Sequence, residues 1–499
     1  MTVNMDPTAT HAPRVAPEGP DSRKTRKLAA QVAARIEADI RVARWPVGTV
    51  LGSESELRAR YGVSRAVFRE AIRLVEHYEV AVMRPGPSGG LVVKAPDARP
   101  LTTAMVIYLE HVGATAADIL EARLLLEPLA ARLAARRMSE DGIATLRAAL
   151  EEEARLETSR LRQLLHTTLG QLSGNATLRL FIDVLVELTD RYARIPPPRT
   201  VAQHEAVNAQ SDRAHQAIAA SIIGGDTGRA EQRTIRHVEA IHEWLLSVGP
   251  RPINHLAPGE SGGRRPVPAD AEGGKQRLAV TVAHQMITDI AASGASVGDL
   301  VGSEAELLAR YGVSRAVLRE AVRLLEYHSV ARMRRGPGGG LVVTAPDATA
   351  SIDAVASYLD YERFGVDELR VVRDVLEIGC LEIVTARHDD PAVAARLNAS
   401  LVADDSVPQH SIAQYAHQFH TEIAELTGNP VLALFLRILT TVWARHSESR
   451  PADAPEAREI EERVDAIHQK IRDAIVAGDT PLASHRMRRH LEALTSWWQ

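Results

Sequence analysis

Residues 51–97 read LGSESELRARYGVSRAVFREAIRLVEHYEVAVMRPGPSGGLVVKAPD, and residues 301–347 read VGSEAELLARYGVSRAVLREAVRLLEYHSVARMRRGPGGGLVVTAPD. At an offset of 250, the 46 positions from Gly52 to Asp97 differ at 12 and agree at 34. Self-similarity on this scale marks a duplicated domain, and it organises everything else in the chain. The likeness continues more weakly on both sides. Arg123-Leu-Leu-Leu-Glu127 answers Arg373-Asp-Val-Leu-Glu377, Leu-Ser-Gly-Asn175 answers Leu-Thr-Gly-Asn429, and the stretch after His215 answers that after His468.

The expected organisation is a disordered tail over residues 1–24, a head at 25–97, a helical domain at 98–248, a flexible linker at 249–275, a second head at 276–347 and a second helical domain at 348–499. The linker is dense in Pro and Gly. As a coil it would span roughly 28 Å, enough to set the two copies side by side.

Within the first head, residues 27–43 carry Leu28, Val32, Ile36 and Ile40 on one helical face, and Pro46 and Gly48 end the pattern. Ser53 followed by Glu54 and Glu56 reads as an N-cap with an acidic first turn. Gly62 supplies a turn, and Ser64 caps a third helix, RAVFREAIRLVEHY. On that helix Val67, Ala71, Leu74, Val75 and Tyr78 form an apolar stripe, while Arg65, Arg69 and Arg73 form a basic one.

A guanidinium fork matches guanine O6 and N7 or a phosphate, so such a face suits a recognition helix. A solvated charge stripe is the plainer alternative. Two short apolar runs then flank Pro85-Gly-Pro-Ser-Gly-Gly90, which reads as a β-hairpin wing. Capped turn, arginine stripe and Gly-rich hairpin recur in that order in the second copy, which favours DNA reading. The candidate contacts are Ser64, Arg65, Arg69, Arg73, Arg84 and Gly86, with Ser314, Arg315, Arg319, Arg323, Arg334, Arg335 and Gly336 in the second copy.

These segments resemble the GntR superfamily, in its FadR-like branch with an FCD sensor domain. The motifs that carry the resemblance are Ser-Glu-x-Glu-Leu, Gly-Val-Ser-Arg-Ala-Val-x-Arg-Glu-Ala and Gly-Pro-x-Gly-Gly-Leu-Val-Val. They imply a mainly α architecture, a winged helix-turn-helix followed by an all-α FCD bundle, with the whole unit present twice. The resemblance implies that Ser64, Arg65 and Arg69, and Ser314, Arg315 and Arg319, touch DNA, with the wing tips at Gly86 and Gly336 in the minor groove. The chain departs from the pattern at Ser55 and Ala305, where some relatives carry arginine. It departs again at Glu79 and Ser329, where glycine is usual.

Behind each wing, helical patterns dominate, beginning with Ile119–Arg136 and Leu369–Arg387. His166, His215 and His237 fall on separate expected helices, as do His420, His468 and His490. The last two of each set lie 22 residues apart in both copies. Three converging imidazoles would suit a divalent metal such as zinc, and three hydrogen-bonded core histidines are the alternative.

By the resemblance, FCD domains add an aspartate or asparagine four residues before the first histidine. Arg162 and Ala416 stand there instead. The expectation is that the second copy keeps a metal while Arg162 repels one in the first copy and helps bind an anionic effector. Arg123 and Arg373 are candidates for an effector carboxylate, or for ion pairs with Glu127 and Glu377.

Composition sets the remaining bounds. Of 499 residues, 45% are hydrophobic, 25% charged and 4% aromatic, and the net charge of -5 neither favours nor opposes DNA. One cysteine, Cys380, excludes a disulfide within the chain and fits a cytoplasmic setting. No nucleophile elbow, P-loop or H-E-x-x-H is present. The reading is a non-enzymatic, effector-responsive regulator, a repressor by family default, binding a pseudo-palindromic double-stranded operator as a fused pseudo-dimer. Its effector would be a small carboxylate, and further self-association stays open. A sensing scaffold without DNA binding and a metal-dependent enzyme are the competing classes.

Overall fold

The computed structural model describes residues 20–77, 80–86, 89–155, 162–193, 201–246, 271–334, 336, 338–362, 365–401, 412–447 and 455–498. Tyr78, Glu79, Ser88, Arg335 and most of the expected tail and linker lie outside them. The chain divides into Met1–Asp97 and Ala98–Gln499.

The first unit holds α1 (Pro20–Val42), α2 (Glu54–Tyr61), α3 (Arg65–His77), β1 (Ala81–Arg84) and β2 (Gly90–Val93). Helix α1 starts at Pro20, inside the expected tail, where the fixed φ of a leading proline suits a first helical position. Ser53 caps α2 in a reciprocal box with Glu56: each side chain bonds the other residue's backbone N–H. Gly62 then ends the helix at φ 65°, in the left-handed region. Buried Ile36 and Ile40 of α1, Phe68, Ala71 and Val75 of α3, and Leu91 and Val93 of β2 fill the small core. The strands pair antiparallel from Ala81↔Val93 to Arg84↔Gly90.

The second unit begins with the first helical domain: α4 (Ala98–His111), α5 (Ala116–Arg137), α6 (Glu140–Arg155), α7 (Leu164–Leu172), α8 (Ala176–Ala193), α9 (Val201–Ile223) and α10 (Thr227–Leu246). The second head follows as α11 (Ala271–Ala292), β3 (Leu300–Gly302), α12 (Glu304–Tyr311), α13 (Arg315–Tyr327), β4 (Ala331–Arg334) and β5 (Gly340–Val343). Helix α11 begins inside the expected linker. The second helical domain comprises α14 (Thr349–Glu362), α15 (Val366–Thr385), α16 (Pro391–Ala399), α17 (Ile412–Leu426), α18 (Pro430–Ser447), α19 (Pro455–Val476) and α20 (Thr480–Trp498).

The second wing is three-stranded, in the order β3-β5-β4. A side chain at Gly340 would bring Cβ to 2.4 Å from the Gly302 carbonyl oxygen, so only glycine lets β3 lie that close. The pattern of two apolar runs around a Gly-rich tip gave no sign of this extra strand, because three residues are too few to show alternation.

Two joints inside this unit bear on function. The helical domains pack through Phe181 on α8 and Phe435 on α18, stacked with centroids 4.0 Å apart. Asn175 caps α8 by accepting from Leu178 N, and its Nδ2 donates to the Glu368 carbonyl 2.7 Å away. Asn429 repeats this on α18, accepting from Val431 N and donating to the Asp118 carbonyl at 3.0 Å. The second joint seats the second head on α4. Buried Ile107 joins that head's core with Val282, Met286 and Leu325. Arg191 of α8 bonds Glu110 of α4 at 3.0 Å and reaches His284 Nδ1 of α11 at 3.4 Å, while His111 meets the Thr344 carbonyl at 3.1 Å.

Candidate functional site

Each head presents its basic face outward. Val67, Phe68, Ala71, Ile72 and Val75 are buried, and the same geometry turns Arg65, Arg69 and Arg73 to solvent. Arg315, Arg319 and Arg323 are exposed likewise on α13. Ser314 accepts from Val317 N, and Ser64 from Val67 N, so each serine fixes the N-terminus of its arginine helix. Arg65 is steered by Glu54 at 2.9 Å, Arg73 by Glu70 and Arg323 by Glu320, all at the surface. Such exposed pairs hold their partners weakly, so a phosphate or base can replace the carboxylate. At the wing tips Gly86 and Gly336 have φ of 113° and 101°, and Arg84 and Arg334 are exposed beside them. Arg334 donates to the Gly338 carbonyl at 2.7 Å.

Behind the first wing, α7, α9 and α10 bring His166, His215 and His237 together. His215 Nε2 lies 2.9 Å from His237 Nε2, which lies 3.3 Å from His166 Nε2. The outward nitrogens are held by carboxylates: His166 Nδ1 by Glu127 at 2.6 Å and His215 Nδ1 by Glu153 at 2.7 Å. Donating from Nδ1 leaves both Nε2 lone pairs facing inward. One N–H on His237 can bond them, and a cation satisfies all three at once. Burial pushes His237 down to about 2, with His166 and His215 adding to the effect, so the ring is neutral and its lone pair available. Burial would raise Glu127, but Arg123 and His166 outweigh it and hold the carboxyl well below its usual range.

The second copy repeats the arrangement on α17, α19 and α20. His490 Nε2 lies 3.2 Å from His420 Nε2 and 3.0 Å from His468 Nε2. Glu377 accepts from His420 Nδ1, and His468 stacks on Phe419 with centroids 4.4 Å apart. Burial lowers His490 to about 3. Burial would raise Glu377, but His420 and Arg373 bring it to about 2. A divalent ion about 2.0–2.1 Å from each imidazole nitrogen sets N···N separations of about 2.8–3.4 Å, from right-angled to tetrahedral geometry. The separations given above fall in that range, so the donor sets fit one.

The candidate effector arginines sit beside the triads and are wholly buried. Arg123 Nε bonds Glu127 at 2.5 Å and Nη1 bonds Thr189 Oγ1 at 3.0 Å, while Nη2 has no hydrogen-bond partner. Arg373 Nε bonds Glu377 at 2.6 Å, and neither Nη1 nor Nη2 has one. The expected ion pairs therefore exist and leave guanidinium donors over. Arg162 pairs with Asp212 at 3.0 Å. Its charge is paired there. The side chain of Ala416 lies outside the described residues.

Sequence reasoning missed Glu153, Asp212, Thr189, His417 and Trp443. Glu153 sits in an acidic run whose other members are exposed, and nothing in its spacing singles it out.

The description "Bacterial regulatory proteins, gntR family" matches residues 28–89 and 278–341, and "FCD domain" matches 118–240 and 368–493. A Streptomyces ambofaciens protein, "Uncharacterized HTH-type transcriptional regulator in unstable DNA locus", is 30% identical over 199 residues, 38% of this chain and 73% of that one. The Exu regulon transcriptional regulator of Escherichia coli K12 is 23% identical over 206 residues, 39% of this chain and 74% of its own. The HTH-type transcriptional repressor NanR of Cronobacter sakazakii is 25% identical over 251 residues, 48% of this chain and 90% of its own. Among the described residues no helix is long and apolar enough to cross a membrane.

Proposed function

The chain belongs to the gntR family of bacterial regulatory proteins and carries its DNA-binding and FCD domains twice, and from that premise we propose that one chain does the work of a regulator dimer. It is a DNA-binding transcription regulator. In the proposed reading each head takes one half of a pseudo-palindromic operator, through Ser64, Arg65, Arg69, Arg73, Arg84 and Gly86 in one copy. Ser314, Arg315, Arg319, Arg323, Arg334, Arg335 and Gly336 serve in the other.

One observation carries this reading: the reciprocal joint in which Asn175 and Asn429 each cap a helix and bond the opposite helical domain. Isologous contact of that kind is how two-fold regulators pair. Fusion makes the second binding event intramolecular, with an effective concentration on the order of mM for a suitable linker.

The FCD domains are the proposed sensors. In this reading a divalent metal such as zinc sits on His420, His468 and His490, and the equally closed triad of His166, His215 and His237 fits a second. Such an ion supplies a Lewis-acid anchor for an oxygen ligand. Arg123 and Arg373 receive the carboxylate of a small effector, with Arg162 kept neutralised by Asp212. The seat of the second head on α4 supports coupling, because Thr189, which bonds Arg123, lies one helical half-turn from Arg191, which bonds His284. Effector binding that shifts α8 would reposition that head and relieve repression, a coupling typically worth about 1–3 kcal/mol.

Selection of bound sequences from a random DNA pool tests the reading, with Arg65→Ala and Arg315→Ala in parallel. The expected operator has two halves, and each variant loses preference in one. Enrichment of a single half-site, lost with one variant only, would contradict it. No enrichment would favour a sensing scaffold instead.

A further inference from the structure

The two sensor cavities of this chain, so alike in their triads, differ at two matched positions besides Arg162 and Ala416. His420 corresponds to His166 at an offset of 254, and at that offset Gln163 becomes His417 and Thr189 becomes Trp443. Thr189 and Trp443 each touch the buried arginine of their copy, and the Arg373 charge acts on His417. In the first cavity Thr189 occupies Arg123 Nη1, leaving Nη2 alone, and Gln163 adds an acceptor, its buried Oε1 having no partner. In the second cavity Trp443 offers the guanidinium only its ring face, 4.7 Å from Cζ, and both Nη1 and Nη2 are left over. His417 adds two more buried nitrogens without a partner.

Arg373 stands one turn before Glu377 on α15, and His417 stands one turn before His420 on α17. Glu377 and His420 are bonded, which joins the two helices at this level. Arg373 and His420 are the charged neighbours that bear most on His417. A buried guanidinium with two open donors is costly unless something accepts from it. Two unfilled guanidinium N–H groups in a plane match a carboxylate or phosphate edge, and the imidazole beside them takes a second acceptor.

We propose that the two sensors of one chain take different ligands: the second binds a compact dianion across Arg373 and His417 on the face of Trp443, and the first does not. His417 and Trp443 are then specificity-determining residues, and one chain binds one such dianion. The inference rests on the reading of the FCD domains as effector sensors. Dicarboxylates and phosphates share the required chemistry.

Isothermal titration of the full-length chain with malonate and, separately, with inorganic phosphate tests this. Three variants are compared with the parent: His417→Gln and Trp443→Thr, which import the first cavity's residues, and the double variant Gln163→His with Thr189→Trp. The expected result is one site per chain for at least one of the two anions, weakened tenfold or more by either single variant. The double variant should raise the stoichiometry to two. The responding anion identifies the source. Two equal sites in the parent, an unchanged affinity in His417→Gln, or no binding of either anion would each overturn the proposal. Operator affinity measured on the same samples keeps its failure distinct from failure of the DNA-binding reading. Thermal unfolding confirms that each variant is folded.

Discussion

Asn429 Nδ2 donates to the main-chain oxygen of Asp118 across 3.0 Å, while its own Oδ1 caps the first turn of α18. One side chain thus starts a helix and ties it to the opposite helical domain. Asn175 does the same toward Glu368. The motif shared by Leu-Ser-Gly-Asn175 and Leu-Thr-Gly-Asn429 therefore has a joint role, visible only when both copies are placed together.

Replacing Asn429 with alanine should remove the cap and the bonds that its Nδ2 gives to the Asp118 carbonyl and to Glu121. A lost cap costs about 0.5–2 kcal/mol, and a lost hydrogen bond about 0.5–1.5 kcal/mol. Chemical denaturation of Asn429→Ala should show a loss in that combined range, and Asn175→Ala a similar one. A loss under about 0.3 kcal/mol, within the scatter of ordinary surface substitutions, would mean the joint is incidental.

At the heads, Arg69→Ala and Arg319→Ala should weaken operator binding by about 1–3 kcal/mol each if the guanidinium reads a base. Both residues are exposed, so the thermal midpoint should stay unchanged. Fluorescence anisotropy at fixed salt checks affinity, and calorimetry checks the fold.

Glu127→Gln and Glu377→Gln should each lower zinc affinity about 10–100-fold, since both carboxylates orient a ligand histidine through Nδ1. Competition against a colorimetric chelator measures this. Equal zinc uptake by variant and parent would show that the carboxylates do not act through the triads.

His284 lies at the seat of the second head, and burial followed by the Arg191 charge lowers it to about 4. Its unfolded value is about 6.5, so between those limits the unfolded chain takes up the proton. Its contribution is complete above pH 6.5 and is lost as pH falls toward 4. Melting temperatures between pH 7 and 4 should fall more steeply for the parent than for His284→Gln. Parallel curves would show that this contact is not titrating.

Much of this was legible in the residues. The capping box at Ser53, the left-handed Gly62 and the arginine stripe rest on local spacing, which a sequence displays, and the histidine triads showed because both copies keep them. The partners of Arg123 did not emerge so fully: Glu127 is four residues away and was foreseeable, whereas Thr189 is 66 residues away on another helix. Glu153 escaped for the same reason. The expectation for Arg162 was read from a single position, and its ion pair with Asp212, 50 residues away on α9, was not visible there. The third strand of the second wing escaped because it is only three residues long.

The central claim is that one chain supplies both reading heads of a regulator dimer. Native mass spectrometry of the full-length chain on a DNA duplex carrying both selected half-sites tests it most directly. The account predicts a complex of one chain per duplex, persisting when protein is limiting and dropping to weak binding when either half-site is scrambled. A complex of two chains per duplex, with one head of each chain idle, would contradict it.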